Sequence, residues 1–262
     1  MRILDEGKLH EFSEVTLKFA NKMITDDFVN WGGMIQKDSP DLRCALEMGY
    51  ENMFVFAQRF VSRDELIDDI DKIKDKSLRD YAITKTIIIR SAIADESCFG
   101  LCEGVELNVN EFDPQWDFAI KGVKLDLKSS FLPKNAKKFL QFSENWDAIR
   151  ENPEELVRLM YKYQSFESRC HREINPRLFL FSKSYVSDKN TYLLKCGCNA
   201  RHDAIKGIVD EFSEDNVFHV DDIYVGKWGR TYDGVVAAIA IIIEREDGTI
   251  GYELLKNKKK IV

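Results

Sequence analysis

Residues 116–130, WDFAIKGVKLDLKSS, constrain the fold more tightly than any other stretch of the chain. Two alternating runs meet at Lys121-Gly122, and a two-residue turn there needs the positive φ that glycine adopts freely. Closing it pairs Ile120 with Val123, Ala119 with Lys124, Phe118 with Leu125 and Asp117 with Asp126. Period-two alternation then puts Phe118, Ile120, Val123, Leu125 and Leu127 on one apolar face. The opposite face carries Asp117, Lys124, Asp126 and Lys128. A three-residue loop with a bulge would shift the pairing by one, so everything about this segment depends on its register.

The surrounding elements mix helix and strand. Residues 1–95 read as mostly helical. Glu11–Lys22 and Asp64–Lys76 repeat apolar residues every three to four positions among charges, and Leu78–Ala94 is a further helix candidate. The Ile87-Ile88-Ile89 run suits either that helix or the start of a buried strand. Farther on, Val105–Val109 alternates, Pro153–Phe166 is an amphipathic helix opening at Asn152-Pro153, and Arg177–Ser182 is a short buried strand. Tyr192–Cys198 reads as a strand, 202–213 as a helix and Val217–Val225 as another strand. Val235–Glu244 is rich in β-branched residues, and Asp247-Gly248 turns it into a hairpin with Thr249–Leu254. The expected architecture is mixed α/β, a central mixed sheet flanked by helices, behind a helical N-terminal lobe.

Composition narrows the setting. A chain of 262 residues, 44% hydrophobic and 32% charged, is long enough for one sizeable core and shows no sign of disorder. No apolar run approaches the roughly 18–20 residues that span a bilayer. The opening MRILDEGKLHEF turns acidic too early for a signal peptide, so a cytoplasmic location with six reduced cysteines is expected. A net charge of −7 argues against a polybasic DNA coat but not against nucleic-acid binding, because basic residues can be concentrated locally.

The hairpin is also where chemistry concentrates. Carboxylates opposed across two strands have Cβ atoms roughly 4.5–5.5 Å apart and repel unless compensated. A divalent cation removes that repulsion, and oxygen ligands suit Mg²⁺. Lys128 projects from the same face, where it can offset remaining charge or help deprotonate a metal-bound water. An Asp, a short hairpin and then Asp-Leu-Lys closing an apolar strand resembles the PD-(D/E)xK nuclease superfamily, here as Asp117 … Asp126-Leu127-Lys128. That superfamily orders its core as helix, three strands, helix, strand. Residues 78–95, the hairpin, 177–182, 202–213 and 217–225 supply the same order.

The resemblance implies a restriction-endonuclease-like core over 78–262 with an insertion at about 131–176, and a helical lobe at 1–77. It implies that Asp117 and Asp126 ligate Mg²⁺, with Mn²⁺ able to substitute, and that the Leu127 carbonyl is a further ligand. Lys128 would position or activate the attacking water. A glutamate on the first core helix often joins such a site, and Glu96 is the nearest candidate, with Glu103 a poorer one. The chain departs from the pattern in placing Gln115-Trp116, rather than a proline, before the first acid.

Other constellations are less specific. Lys134, Lys137, Lys138, Arg201 and Lys206, with Lys227 and Arg230 in the aromatic loop KWGRTY, are candidates for DNA-backbone contacts. Cys196, Cys198 and His202, with Cys170-His171 upstream, offer zinc donors, but at a spacing that fits no common zinc pattern; buried thiols are the simpler expectation. With no P-loop present, the chain resembles most a type II restriction endonuclease that cuts double-stranded DNA as a homodimer, matching a two-fold symmetric site. The alternatives are a structure-specific repair nuclease of the same superfamily and a non-catalytic binding protein whose hairpin charges are surface decoration.

Overall fold

The computed structural model describes residues 3–25, 28, 62–110, 115–130, 146–163, 174–197, 199–225 and 230–257. Its first helices begin where the sequence supplies caps. In α1 (Glu6–Met23) the Asp5 carboxylate accepts from the Lys8 N–H at 3.0 Å, and Leu9, Phe12, Thr16, Phe19 and Met23 form one buried face at helical spacing. Helix α2 (Arg63–Asp71) opens with a capping box in which Ser62 and Glu65 each accept from the other's backbone N–H. It ends at Asp71, short of the expected Lys76, because Asp75 caps a new helix through the Leu78 N–H at 2.8 Å. That helix, α3 (Lys76–Gly100), takes in Ile87-Ile88-Ile89. Its apolar circumference is wide because one side meets the sheet and another meets α1 and α2.

The strands are β1 (Val105–Leu107), β2 (Phe118–Ile120), β3 (Val123–Ser130), β4 (Arg177–Ser184), β5 (Phe218–Val220), β6 (Ile223–Val225), β7 (Arg230–Tyr232), β8 (Val235–Glu244) and β9 (Ile250–Leu254). Their main sheet runs β1-β2-β3-β4-β8, with β5 and β9 sharing the outer edge of β8 at its two ends. β1–β2 and β2–β3 are antiparallel pairs, whereas β3–β4 and β4–β8 are parallel. Parallel neighbours need crossovers. The first carries α4 (Trp146–Glu151) and α5 (Pro153–Tyr163), the second α6 (Asp188–Lys195) and α7 (Asn199–Glu211).

Helices cover both faces. Leu125, Leu127, Leu178, Leu180, Ala238, Ala240 and Ile242 pack beneath α1, α3 and α7. Phe179, Phe181, Ala237, Ile239, Ile241 and Ile243 pack against α4 and α5. This two-sided burial is why VVAAIAIIIE is a continuous apolar run rather than an alternating one. Among the described residues no helix is long and apolar enough to cross a membrane.

Two expected strands differ. The strand expected over Tyr192–Cys198 is helical at Tyr192–Lys195: Ser187 caps the Asn190 N–H at 3.0 Å and starts α6, which runs through Lys195. Tyr192 and Leu194 enter different cores, so a helix buried on two sides imitates a short strand. Val217–Val225 breaks at Asp221-Asp222, where Asp222 adopts φ 57°. Its second half leaves the sheet and pairs with β7 as a separate ribbon. The strand beside β4 is therefore β8, not 217–225.

Candidate functional site

The hairpin closes where its sequence requires. Lys121 and Gly122 have φ of 48° and 85°, both positive as in a type I′ turn. Lysine is strained there, but its ammonium is held at 2.9 Å by the carbonyls of both Asp210 and Phe212. Those carbonyls close the C-terminal end of α7, where unpaired oxygens and the helix dipole favour a cation. The three pairs Ile120–Val123, Ala119–Lys124 and Phe118–Leu125 form as the alternation predicts.

The fourth pair does not. The Asp117 N–H donates to the Leu125 carbonyl at 2.9 Å, one residue short of a straight continuation, so the strand bulges and Asp117 is not ladder-paired with Asp126. The cause is strand length. β2 stops while β3 runs on, hydrogen-bonded only to β4, and its Leu127 N–H on the open side needs an acceptor. The Asp117 carboxylate provides one at 2.7 Å. The expected proximity of the two acids is thus achieved through a side chain reaching over a bulge.

Packing brings a third acid to the same edge. Phe99 of α3 stacks on Phe118 with ring centroids 4.6 Å apart, which sets the preceding turn of α3 beside the start of β2. Glu96 is partly buried there. Burial and then the charge of Asp117 push its carboxyl up to about 8, and Lys128 opposes the shift. Asp117 is pushed up to about 6 by burial and by Asp126, against the Leu127 N–H and Lys128. Glu103, by contrast, is exposed on the loop after α3.

Asp126 is held by two cations. Lys128 Nζ lies 2.5 Å from Oδ1, and Arg177 Nε lies 3.3 Å from Oδ2. Arg177 opens β4 directly across from Asp126, with its guanidinium 4.6 Å from the centre of the Tyr161 ring. Its role is invisible in the sequence, because a parallel register between residues 51 positions apart leaves no local signal.

Immediately behind this edge lies a buried polar network that the sequence also concealed. Asp95 and Arg201, each 1% exposed, form a two-pronged ion pair at 2.6 and 2.8 Å. Asp95 also accepts from Ser129, and the fully buried Lys195 contacts the Ser129 hydroxyl at 2.5 Å. Burial pushes the Lys195 ammonium down to about 8. Arg201 is therefore an interior anchor and not the surface DNA contact its charge suggested.

Lys206 and Arg230 lie on α7 and β7, and both are exposed. Lys134, Lys137, Lys138 and Lys227 lie outside the described residues, as do Cys170, His171 and Cys198. Cys196 is buried, its thiol donating to the Tyr192 carbonyl. Among the described residues no three His, Cys, Asp or Glu side chains converge as a ready-made metal cluster. Asp117 and Asp126 bring two carboxylates together as a smaller, all-oxygen pair. It suits Mg²⁺, which usually takes one or two carboxylates and keeps several waters.

Fold and site together define a mixed α/β protein with an acid-and-lysine cluster at the edge where a short hairpin strand ends. No family model, curated protein or solved structure matches the chain.

Proposed function

We propose that the protein is a divalent-cation-dependent endodeoxyribonuclease of the PD-(D/E)xK kind, a sequence-specific restriction endonuclease acting on double-stranded DNA as a homodimer. One observation carries the reading: Asp117, Asp126 and Lys128 meet beside the part of β3 that β2 leaves unpaired, two largely buried acids next to a lysine that reaches solvent. The order α3, then β2, β3 and β4, then α6 and α7, then β8 supports it, with β8 serving as the last core strand.

Asp117, Asp126 and the Leu127 carbonyl would hold Mg²⁺ or Mn²⁺, with Glu96 adding negative charge from α3. Such a cation, when bound, polarises the scissile phosphate and lowers the pKa of a water. The remaining work falls to side chains. Burial, and then the neighbouring carboxylates, raise the proton affinities of Glu96 and Asp117, and a bound cation would relieve the cost of ionising them. Lys128, 35% exposed while touching Asp126, spans the acids and solvent, where it can orient the attacking water. The buried Asp95–Arg201 pair and Ser129 tie α3 to β3, so Glu96 and Lys128 keep their relative positions.

A second reading has its own observation. Both Asp126 oxygens already face cations, and four acids (Asp95, Glu96, Asp117, Asp126) balance four bases (Lys128, Arg177, Lys195, Arg201). A self-neutralised ionic core suits a non-catalytic binding protein. Incubating the protein with plasmid DNA in Mg²⁺ or Mn²⁺, and then in chelator, separates the readings. Discrete bands support a restriction enzyme, a smear or junction-only cutting a structure-specific nuclease, and silence the binding protein. Asp117→Asn, which keeps an acceptor for the Leu127 N–H, is expected to abolish cutting with the melting curve little changed. Wild-type cutting by this variant would refute the site.

A further inference from the structure

We infer that Arg177 is the phosphate contact of this site, resting on Asp126 in the metal-free protein and turning to an anionic phosphate oxygen once a divalent cation occupies that carboxylate. The inference rests on the nuclease reading.

Three features of Arg177 point this way. Its hold on Asp126 is loose: Nε alone contacts Oδ2, at 3.3 Å, whereas a guanidinium matched to a carboxylate engages it through two N–H groups at about 2.7–2.9 Å. Arg201 shows that matched arrangement within the same protein, with Nε and Nη2 on Asp95 and Nη1 on Ser182. Next, Arg177 Nη1 is buried and has no hydrogen-bond partner among the described residues. An unpaired buried donor is costly, and a bound water, ion or ligand would complete its bonding.

Third, the guanidinium is confined without being saturated. β4 fixes its backbone opposite Asp126, and Tyr161 supports its plane from α5. The Tyr161 hydroxyl is tied to the Asn175 carbonyl at 2.7 Å, so the supporting ring is itself anchored. The side chain is 11% exposed, enough to touch the site but not to swing away from it. If Asp126 turns to a cation, Arg177 loses its acceptor and faces added positive charge. Its planar fork then matches the oxygens of a phosphodiester. Lys128, likewise released from Asp126 and more exposed than Arg177, is then the cation that can turn to the water.

The test uses Arg177→Met, which keeps an apolar stem over Tyr161, and Arg177→Lys, which keeps the charge without the fork. Mn²⁺ affinity is measured calorimetrically without DNA, and plasmid cleavage is measured at saturating Mg²⁺. The Met variant has lost a competitor for Asp126 and is expected to bind Mn²⁺ several-fold to about 10-fold more tightly. Its cleavage rate is expected to fall by about 100-fold or more, with the Lys variant intermediate and near wild type in Mn²⁺ affinity.

Tighter metal with slower cutting is a combination that structural damage does not produce. Near-wild-type cutting by the Met variant, or unchanged or weaker Mn²⁺ binding, overturns the inference and leaves the nuclease reading standing. A wild-type protein that cuts no DNA in Mg²⁺ or Mn²⁺ removes both. Should the Met variant fail to fold, the Lys variant decides alone: a slowed rate supports the role, and an unaltered rate overturns it.

Discussion

Replacing Glu96 with glutamine should stabilise the metal-free protein, and increasingly so as pH rises. A glutamate in an unfolded chain releases its proton near 4.5, whereas burial beside Asp117 holds this one until about 8. Between those values the folded state binds more protons than the unfolded state. Its stability therefore falls as pH rises through the window and levels off above it. At about 1.4 kcal/mol per pH unit, the window between 4.5 and about 8 sets a ceiling of about 5 kcal/mol on the cost of ionising Glu96 in place. Partial exposure screens some of this, and Asp117, which keeps a proton up to about 6, shares it. The expected gain in Glu96→Gln is about 2–4 kcal/mol above roughly pH 8, shrinking toward zero near pH 5. Urea unfolding of both proteins in chelator, across about pH 5 to pH 9, measures it. Mg²⁺ should narrow the gap, because a bound cation compensates the ionised acid. A Glu96→Gln protein that is less stable throughout, or offset by the same amount at every pH, would show that the acid cluster is not under charge strain.

Two further outcomes probe the framework behind the site. Asp95→Asn leaves the buried Arg201 without its counter-charge and is expected to cost about 3–5 kcal/mol of stability by denaturant unfolding. Gly207→Ala brings a methyl to within 2.2 Å of the Tyr252 ring, whose hydroxyl is bonded to Glu211. The expected loss is about 1–3 kcal/mol. In a Tyr252→Ala background, which removes the obstructing ring, the same glycine substitution should cost little by the same measurement.

Much of this protein follows from local chemistry. Lys121-Gly122 sets a turn because only a few residues tolerate positive φ, and the alternation of Phe118, Ile120, Leu125 and Leu127 then determines which face is buried. Asp5, Ser62 and Asp75 start helices because their side chains satisfy backbone N–H groups within three residues. The spacing that brought Asp117, Asp126 and Lys128 under suspicion is of the same short range.

Other features were decided only when distant segments met. Whether β2 continues to Asp117 depends on the neighbours available to β3, and a bulge rather than a fourth rung resulted. Tyr192–Lys195 is helical because two cores enclose it, a condition that a short apolar window cannot reveal. Arg201 is buried because Asp95, on another helix, neutralises it. Arg177 meets Asp126 through a parallel register across a crossover. Turns and caps are settled by interactions within a few residues, so they are legible in a linear chain. Charge pairing in an interior depends on which strands and helices become neighbours, and that exists only after the chain has folded.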